Sequence, residues 1–241
     1  MTALLSVDAV SKRFAGLQAV EAVTFSIAPG ELFAIIGPNG AGKTTLFNMI
    51  AGEIAPDQGA IWFAGERIDG LSPDRICRRG IGRTFQLVRP FPALSVEDNV
   101  VIGALLRRPA VEEARAHARA VLRRLDLHDK RAQRASDLTL PDRKRLEVAR
   151  ALATEPRLLL LDEVMAGLRP TETEAMIAIL HELNREGLAI LLIEHVMRAV
   201  LALAGRALVL HHGAALALGP PQVVVRDPAV VQSYLGVEAI G

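Results

Sequence analysis

A nine-residue segment near the start of the chain has the pattern of a phosphate-binding loop. Residues 37–45 fill the pattern G-x-x-x-x-G-K-[ST], and the apolar run 32–36 leads directly into them. In such a loop the glycines let backbone N–H groups turn inward toward phosphates, Lys43 supplies a positive charge, and Thr44 offers a hydroxyl to Mg²⁺. The segment therefore predicts the strand, loop and helix of an α/β protein that binds a nucleoside triphosphate. The candidate binding residues are Gly37, Pro38, Asn39, Gly40, Ala41, Gly42, Lys43, Thr44 and Thr45.

The composition indicates a folded chain that has no particular attraction for nucleic acids. Its 241 residues are 51% hydrophobic and 23% charged, with a formal net charge of +1, so we expect a buried core and no nucleic-acid partner. The single cysteine, Cys77, fits a reducing compartment such as the cytoplasm. No uninterrupted apolar stretch approaches the length of a membrane span, so work at a membrane would require another chain to cross it.

Apolar patterning predicts a central parallel sheet with two additions. Near-continuous apolar runs predict strands covered on both faces at residues 32–36, 158–161 and 188–193. Three segments bounded by turn residues predict an antiparallel flank, at residues 4–10, 19–27 and 60–68. A helical insertion is predicted from residues 96–106, 111–127 and 143–153. Near the C-terminus, His212-Gly213 predicts a hairpin turn and Pro220-Pro221 the start of a short helix.

Two carboxylates follow the second of these apolar strands. Asp162 and Glu163 come directly after residues 158–161. The carboxyl ends of parallel strands meet at one edge of a sheet, so these acids are expected near the phosphate loop. We expect Asp162 to hold Mg²⁺ and Glu163 to accept a proton from an attacking water.

Two further polar residues are candidates for the site because of where they stand in the sequence relative to the predicted strands and helices. His195 follows the strand predicted at 188–193, where it would donate a hydrogen bond to a terminal phosphate, although a lone histidine at a strand end is usually incidental. Gln86 precedes the helical insertion, where it would orient water or contact Mg²⁺, although an isolated glutamine is usually a surface residue.

The order of these features resembles the nucleotide-binding subunit of ATP-binding cassette (ABC) transporters, over essentially the whole chain. The order is the phosphate loop, Gln86, residues 138–150, Asp162-Glu163 and His195. The resemblance implies a P-loop NTPase with a RecA-like core and an antiparallel β subdomain, formed by residues 1–88 and 155–241. An α-helical subdomain, residues 89–154, would be inserted in this core.

The same resemblance implies ATP and Mg²⁺ as cofactors and assigns roles at the site. The catalytic residues would be Glu163, His195 and Gln86, and the metal would be held by Thr44, Gln86 and Asp162. Phe14 would stack on adenine, and the Thr139 hydroxyl would hold the γ-phosphate of an ATP bound to a partner subunit. No guanine-reading N-K-x-D segment occurs, which favours ATP over GTP.

Within that family, four segments look like the ATPases of branched-chain amino acid importers: residues 83–86, 91–100, 193–195 and 233–236. The ATPase of lipopolysaccharide export is a close rival. The resemblance implies transmembrane permease subunits that contact residues 87–94, a second ATPase subunit in a homodimer or heterodimer, and an indirect link to a periplasmic or extracellular solute-binding protein. The chain would lie in the cytoplasm, on the inner face of the cell membrane. A soluble ABC ATPase without a transporter and a near-inactive regulatory cassette are the remaining alternatives.

The segment that should contact the partner's ATP departs from the family pattern. Where the family has Leu-Ser-Gly-Gly-Gln, this chain has Leu138-Thr139-Leu140-Pro141-Asp142. Pro141 has no N–H, so one donor to the γ-phosphate is lost, and a hydrogen bond to a charged group is worth about 1.5–3 kcal/mol. Thr139 still predicts a helix cap, with Pro141 in the first turn. We therefore expect a helix that forms normally and holds the partner's ATP weakly.

Overall fold

The computed structural model describes residues 3–84 and 90–238, the last four of them by backbone alone, and it has ten strands in these ranges. The strands are β1 Leu5–Phe14, β2 Leu17–Ile27, β3 Leu32–Ile36, β4 Gln58–Phe63, β5 Glu66–Arg67, β6 Ile81–Arg83, β7 Leu158–Asp162, β8 Ala189–Ile193, β9 Arg206–His211 and β10 Ala214–Gly219. The same ranges contain nine α-helices. They are α1 Lys43–Ile50, α2 Pro73–Arg79, α3 Val96–Ala104, α4 Val111–Arg124, α5 Leu140–Leu152, α6 Pro170–Arg185, α7 Met197–Leu203, α8 Pro221–Val224 and α9 Pro228–Glu238.

The predicted parallel sheet is confirmed and has the strand order β10-β9-β3-β8-β7-β6. Every pair is parallel except β10 with β9, which forms the predicted hairpin. All residues of β3, β7 and β8 are buried, because the sheet separates two apolar cores. Alternate side chains enter each core, so Ala34 packs with the helices on one side and Phe33 with α1 and the antiparallel strands on the other. The carboxyl ends of these three strands therefore lie together at one edge.

The predicted antiparallel flank is also confirmed, as a second sheet of order β2-β1-β4-β5. Its predicted single strand at 60–68 is wrong in one respect, because a turn at Ala64-Gly65 divides it into β4 and β5. Both turn residues have positive φ, 52° and 83°, which an extended strand does not allow. The strand predicted at 4–10 continues to Phe14, which brings that side chain to the end of the sheet.

Helices α3, α4 and α5 follow β6 and precede β7, as predicted for the helical insertion. Helix α5 begins at Leu140, as the cap predicted at Thr139 with Pro141 in the first turn requires, and three residues before the start predicted from residues 143–153. The backbones of α3 and α5 approach closely, since a Cβ atom on Gly103 would lie 2.5 Å from the Arg150 carbonyl oxygen. Whether residues 89–154 form a separate subdomain stays a prediction.

The segment before α3 is fixed to both of these helices. The buried Asn99 side chain accepts a hydrogen bond from the Phe91 N–H (2.8 Å) and donates to the Phe91 and Ser95 carbonyls at 3.1 and 2.9 Å. The Arg150 guanidinium lies 5.2 Å from the centre of the Phe91 ring.

In the parts of the chain that the structure describes, no helix is both long and apolar enough to span a bilayer.

Candidate active site

The phosphate loop connects β3 to α1 and is held between two other strands. A Cβ atom on Gly42 would lie 2.3 Å from the Ala19 carbonyl oxygen, and one on Gly37 would lie 2.2 Å from that of Leu210. The φ angles of these glycines are 99° and 147°, so the backbone conformation and the lack of space both require glycine. The loop is thus a preformed turn with α1 directed away from it, and the positive end of the helix dipole faces the loop.

The buried side chain of Lys43 folds back over this loop. Its ammonium group donates hydrogen bonds to the carbonyls of Gly37 (2.7 Å) and Pro38 (2.9 Å). Burial lowers the Lys43 pKa, and the charges of Glu163 and Asp162 oppose that shift. The arrangement places a cation at the mouth of the loop, close to two carboxylates.

Asp162 is the last residue of β7, and one of its carboxylate oxygens has no hydrogen-bond partner among the described residues. The residue is 1% exposed, and its buried Oδ1 atom has no hydrogen-bond partner among the described residues. Burial and the Glu163 charge raise the Asp162 pKa, while nearby cations oppose this rise. An unsatisfied buried oxygen is costly, and a divalent cation that prefers oxygen ligands would satisfy it. The donor set of Asp162 and the Thr44 hydroxyl therefore fits Mg²⁺.

Glu163 and His195 are in direct contact at the carboxyl ends of β7 and β8. The His195 Nε2 atom lies 2.7 Å from the Glu163 Oε1 atom. The Glu163 N–H donates to the Ile193 carbonyl (2.9 Å), which ties the turn after β7 to the end of β8. The structure thus joins two residues that are 32 positions apart in the sequence.

A cavity of about 520 Å³ brings most of the predicted site residues together. Its lining includes the loop, the start of α1, the Glu163–His195 pair and Phe14. The predicted residues in this lining are Phe14, Asn39, Gly40, Ala41, Gly42, Lys43, Thr44, Thr45, Glu163 and His195. Asp162 is buried and is not part of the lining, and Gly37 and Pro38 contribute through their carbonyls to Lys43. Gln86 lies outside the described residues.

Thr139 lies elsewhere, exposed at the start of α5 and away from the cavity wall. As predicted, it is the N-cap residue of that helix, although its side chain makes no capping hydrogen bond. Its hydroxyl donates to the Asp142 carboxylate (2.7 Å), which also accepts from Lys130.

Sequence patterns did not reveal several residues at the site. Gln18 and His212 line the cavity, and the sequence indicated only a hairpin turn at His212. Lys144 and Glu194 are buried beside the turn after β7, although lysine and glutamate are rarely buried. No sequence pattern signalled this pair, because their burial and their backbone partners become visible only in the structure.

The chain is similar in sequence to known proteins over nearly its full length. A family described as ABC transporter matches residues 20–166. The high-affinity branched-chain amino acid transport ATP-binding protein LivG of Escherichia coli K12 is 39% identical, over 97% of this chain and 98% of its own. BraF of Pseudomonas aeruginosa, which carries the same description, is 36% identical over the same shares. The lipopolysaccharide export system ATP-binding protein LptB of Acidithiobacillus ferridurans is 36% identical over 98% of both chains.

Solved structures give the same result. A nucleotide-free ATP-binding cassette from an ABC transporter superposes with a TM-score of 0.89 at 30% identity, over 97% of this chain and 99% of that one. The ADP conformation of MJ1267, an ATP-binding cassette of an ABC transporter, superposes with a TM-score of 0.90 at 29% identity, over 98% of this chain and all of that one.

The fold and the cavity together define the class of protein, an ATP-binding cassette with a P-loop core. More specifically, the chain belongs to the ABC transporter family. The predicted fold class and the resemblance to importer ATPases for branched-chain amino acids are confirmed. The predicted activity, ATP hydrolysis coupled to transport, is confirmed at the level of the family.

Proposed function

We propose that this chain is the ATP-hydrolysing subunit of a membrane importer whose solutes are branched-chain amino acids or related small polar molecules. The observation that carries the proposal is the 2.7 Å contact between Glu163 and His195, which line the same cavity as Lys43 and the phosphate loop. The solute class rests on the names of LivG and BraF, which match this chain over nearly its full length.

The triphosphate would lie in the loop with its γ-phosphate toward Glu163. Backbone N–H groups of residues 37–45 and the α1 dipole would bind the phosphates, and the Lys43 ammonium would exchange the Gly37 and Pro38 carbonyls for phosphate oxygens. Phe14, which is 44% exposed and lines the cavity, would stack on the adenine.

Thr44 and Asp162 would hold Mg²⁺, with Gln86 as a further ligand. When bound, the ion supplies neutralisation of the charge that develops on the phosphate oxygens. Glu163 would accept a proton from the attacking water, and His195 would orient that carboxylate and donate to the γ-phosphate.

The position of Thr139 supports a second ATPase subunit as partner, either a copy of this chain or a related one. Because Thr139 is exposed and does not line this chain's own cavity, its hydroxyl would contact a nucleotide bound elsewhere by exchanging its hydrogen bond to Asp142 for one to a phosphate oxygen. Permease subunits would bind at residues 87–94 on the inner face of the membrane, and a solute-binding protein would act through them. The similarity to LptB supports lipopolysaccharide export as a second candidate function.

The test is a Glu163→Gln variant of the chain assembled with its permease subunits. We expect ATP hydrolysis to fall by about 10²–10⁴-fold while ATP binding is retained, because the amide cannot accept the proton. The control is Glu174→Gln, which removes an exposed carboxylate paired with Arg198 on the surface. A wild-type complex without ATPase activity, or a fully active Glu163→Gln variant, would contradict the proposal.

The solute is tested separately in vesicles that contain the assembled transporter. ATP-dependent uptake of a radiolabelled branched-chain amino acid is expected, and extraction of lipopolysaccharide instead would favour the second candidate.

A further inference from the structure

Glu163 has a backbone conformation that a non-glycine residue adopts only under constraint. Its φ angle is +49°, in the left-handed region. For a residue with a Cβ atom this conformation is less stable than the right-handed one. Neighbouring groups must therefore hold the turn after β7 in place.

Besides its internal bond from the Ala166 N–H to the Glu163 carbonyl (3.2 Å), three hydrogen bonds tie this turn to neighbouring elements. The Glu163 N–H donates to the Ile193 carbonyl (2.9 Å), and the Glu163 carbonyl accepts from the Lys144 ammonium (2.8 Å). Two residues further on, the Met165 N–H donates to the Glu194 Oε1 atom (2.8 Å). Two of the three bonds thus come from charged side chains, which belong to α5 and to the end of β8.

Both charged side chains are buried. Lys144 is 6% exposed and Glu194 is 1% exposed. Burial lowers the Lys144 pKa, and the negative charge of Glu194 opposes this shift. Burial raises the Glu194 pKa, and hydrogen bonds from backbone N–H groups oppose this rise. Buried ionic groups often contribute nothing to stability compared with apolar residues of similar volume. A role other than stability would account for their presence beside the catalytic turn.

Glu194 connects the backbones of both catalytic residues. Its Oε1 atom binds the N–H of Met165 in the turn after β7, and its Oε2 atom accepts from the N–H of His195 at 3.3 Å. Its carboxylate therefore sets the separation of the two segments that carry Glu163 and His195, whose side chains are 2.7 Å apart.

We propose that Glu194 and Lys144 are positioning residues for ATP hydrolysis, which hold the turn after β7 in the conformation that directs Glu163 toward His195 and the phosphate loop. The inference rests on the proposed function, since it assigns these residues to the same reaction. Lys144 also makes this conformation depend on α5, the helix whose exposed start carries Thr139.

The experiment compares kcat, KM for Mg-ATP and thermal unfolding of variants in the assembled transporter. Glu194→Ala is expected to lower kcat by about tenfold or more, with KM within about twofold, because the nucleotide still binds while Glu163 is misplaced. Glu194→Gln keeps an oxygen that accepts from Met165 and should restore most of kcat. Lys144→Met and Lys144→Arg form the second pair, with a loss expected in the first and a partial recovery in the second.

The matched control is Glu97→Ala. Glu97 is as buried as Lys144, and its carboxylate accepts from Arg115 and Arg119 in the helical layer, so the variant should lose stability and retain kcat. Wild-type kcat in folded Glu194→Ala or Lys144→Met would overturn the proposal. If Glu194→Ala does not fold, equal kcat values for Lys144→Met and wild type would overturn it instead. A wild-type transporter without ATPase activity would contradict the proposed function, not this inference alone.

Discussion

At the scale of single residues, the cavity combines side chains with a strained backbone. Two residues on its wall, Glu163 and His212, have left-handed φ angles of 49° and 46°. Such conformations persist only where surrounding contacts determine them, and they are frequent at active sites. Glu163 meets this condition through its bonds to Ile193 and Lys144. The strained backbone conformation therefore belongs to the residue that is proposed to accept the proton from water.

Phe14 gives a prediction at this scale. Phe14→Ala should raise KM for ATP by about two- to tenfold, because an aromatic stacking contact is worth about 0.5–1.5 kcal/mol. Phe14→Tyr keeps the ring face and should leave KM nearly unchanged. Nucleotide titrations and steady-state kinetics of the two variants provide the measurement. An unchanged ATP affinity in Phe14→Ala would show that adenine binds elsewhere.

The candidate site was predictable from the sequence only where a residue of suitable chemistry directly follows an apolar strand. The loop, Asp162 and Glu163 could be assigned because each follows an apolar run and the carboxyl ends of parallel strands converge. Glu194 and Lys144 could not, because their partners are backbone groups: Lys144 reaches a carbonyl 19 positions away, and Glu194 an N–H 29 positions away. No side-chain pattern records such bonds.

At the scale of elements, apolar patterning predicted the sheets and the helical insertion, since burial on one or both faces imposes a period, but it gave no prediction for α2, α6, α7, α9 or β6. It failed where conformation at one residue decides the structure. The turn at Ala64-Gly65 depends on positive φ, and alanine at the first position gives no warning of it. The start of α5 could be predicted from Thr139 as an N-cap residue with Pro141 in the first turn, but not from the apolar pattern, which begins only at Arg143.

The start of α5 also gives a prediction about acid stability. Burial alone would raise the Asp142 pKa, but hydrogen bonds from Lys130 and Thr139 hold it below its ordinary value of 3.8. A carboxyl with a lowered folded-state pKa stabilises the protein fully above its unfolded-state pKa, and this contribution is lost as the pH falls through the folded-state pKa. Asp142 should therefore stabilise α5 fully at neutral pH, and this contribution should begin to fall below a pH of about 4.

Thermal unfolding at several pH values tests this point. Asp142→Asn should lower Tm at pH 7 by about 2–4 °C, the shift expected for roughly 1 kcal/mol in a chain of this length. The difference from wild type should shrink below a pH of about 4. Asp129→Asn, at a fully exposed position, is the control and should change Tm little at any pH. A constant difference across the pH range would exclude an ionic contribution from Asp142.

At the scale of the whole molecule, the proposed function gives this chain halves of two different sites. Its cavity is lined by the loop, Glu163 and His195, whereas Thr139 at the exposed start of α5 is not part of that lining. Leu140 is 45% exposed there, and a Cβ atom on Gly167 would lie 3.3 Å from its Cδ2 atom. Pro141 occupies a position where a helix leaves its N–H groups free for a ligand.

Replacing both Leu140 and Pro141 by Gly in the assembled transporter should therefore raise ATP turnover, by about tenfold if the regained N–H binds the partner's γ-phosphate. The gain is reduced by the cost of glycine in a helix, about 0.5–1 kcal/mol per residue. ATPase rates at saturating ATP provide the measurement. Pro228→Gly makes the same kind of change at the exposed start of α9 and should leave turnover unchanged. Unaltered turnover in the double variant would mean that this helix end does not limit the reaction.

The close approach of α3 and α5 at Gly103 has a mechanical consequence. With no side chain between the two backbones, and with Asn99 and Arg150 fixing Phe91, these helices and the segment before α3 form one stiff body. Helix α5 has 13 residues and is roughly 20 Å long, so a rotation of about 3° at one end displaces the other by about 1 Å. A small displacement at Thr139 would thus be transmitted to Phe91 as a rigid-body movement, because the packing between these helices leaves little room for local rearrangement.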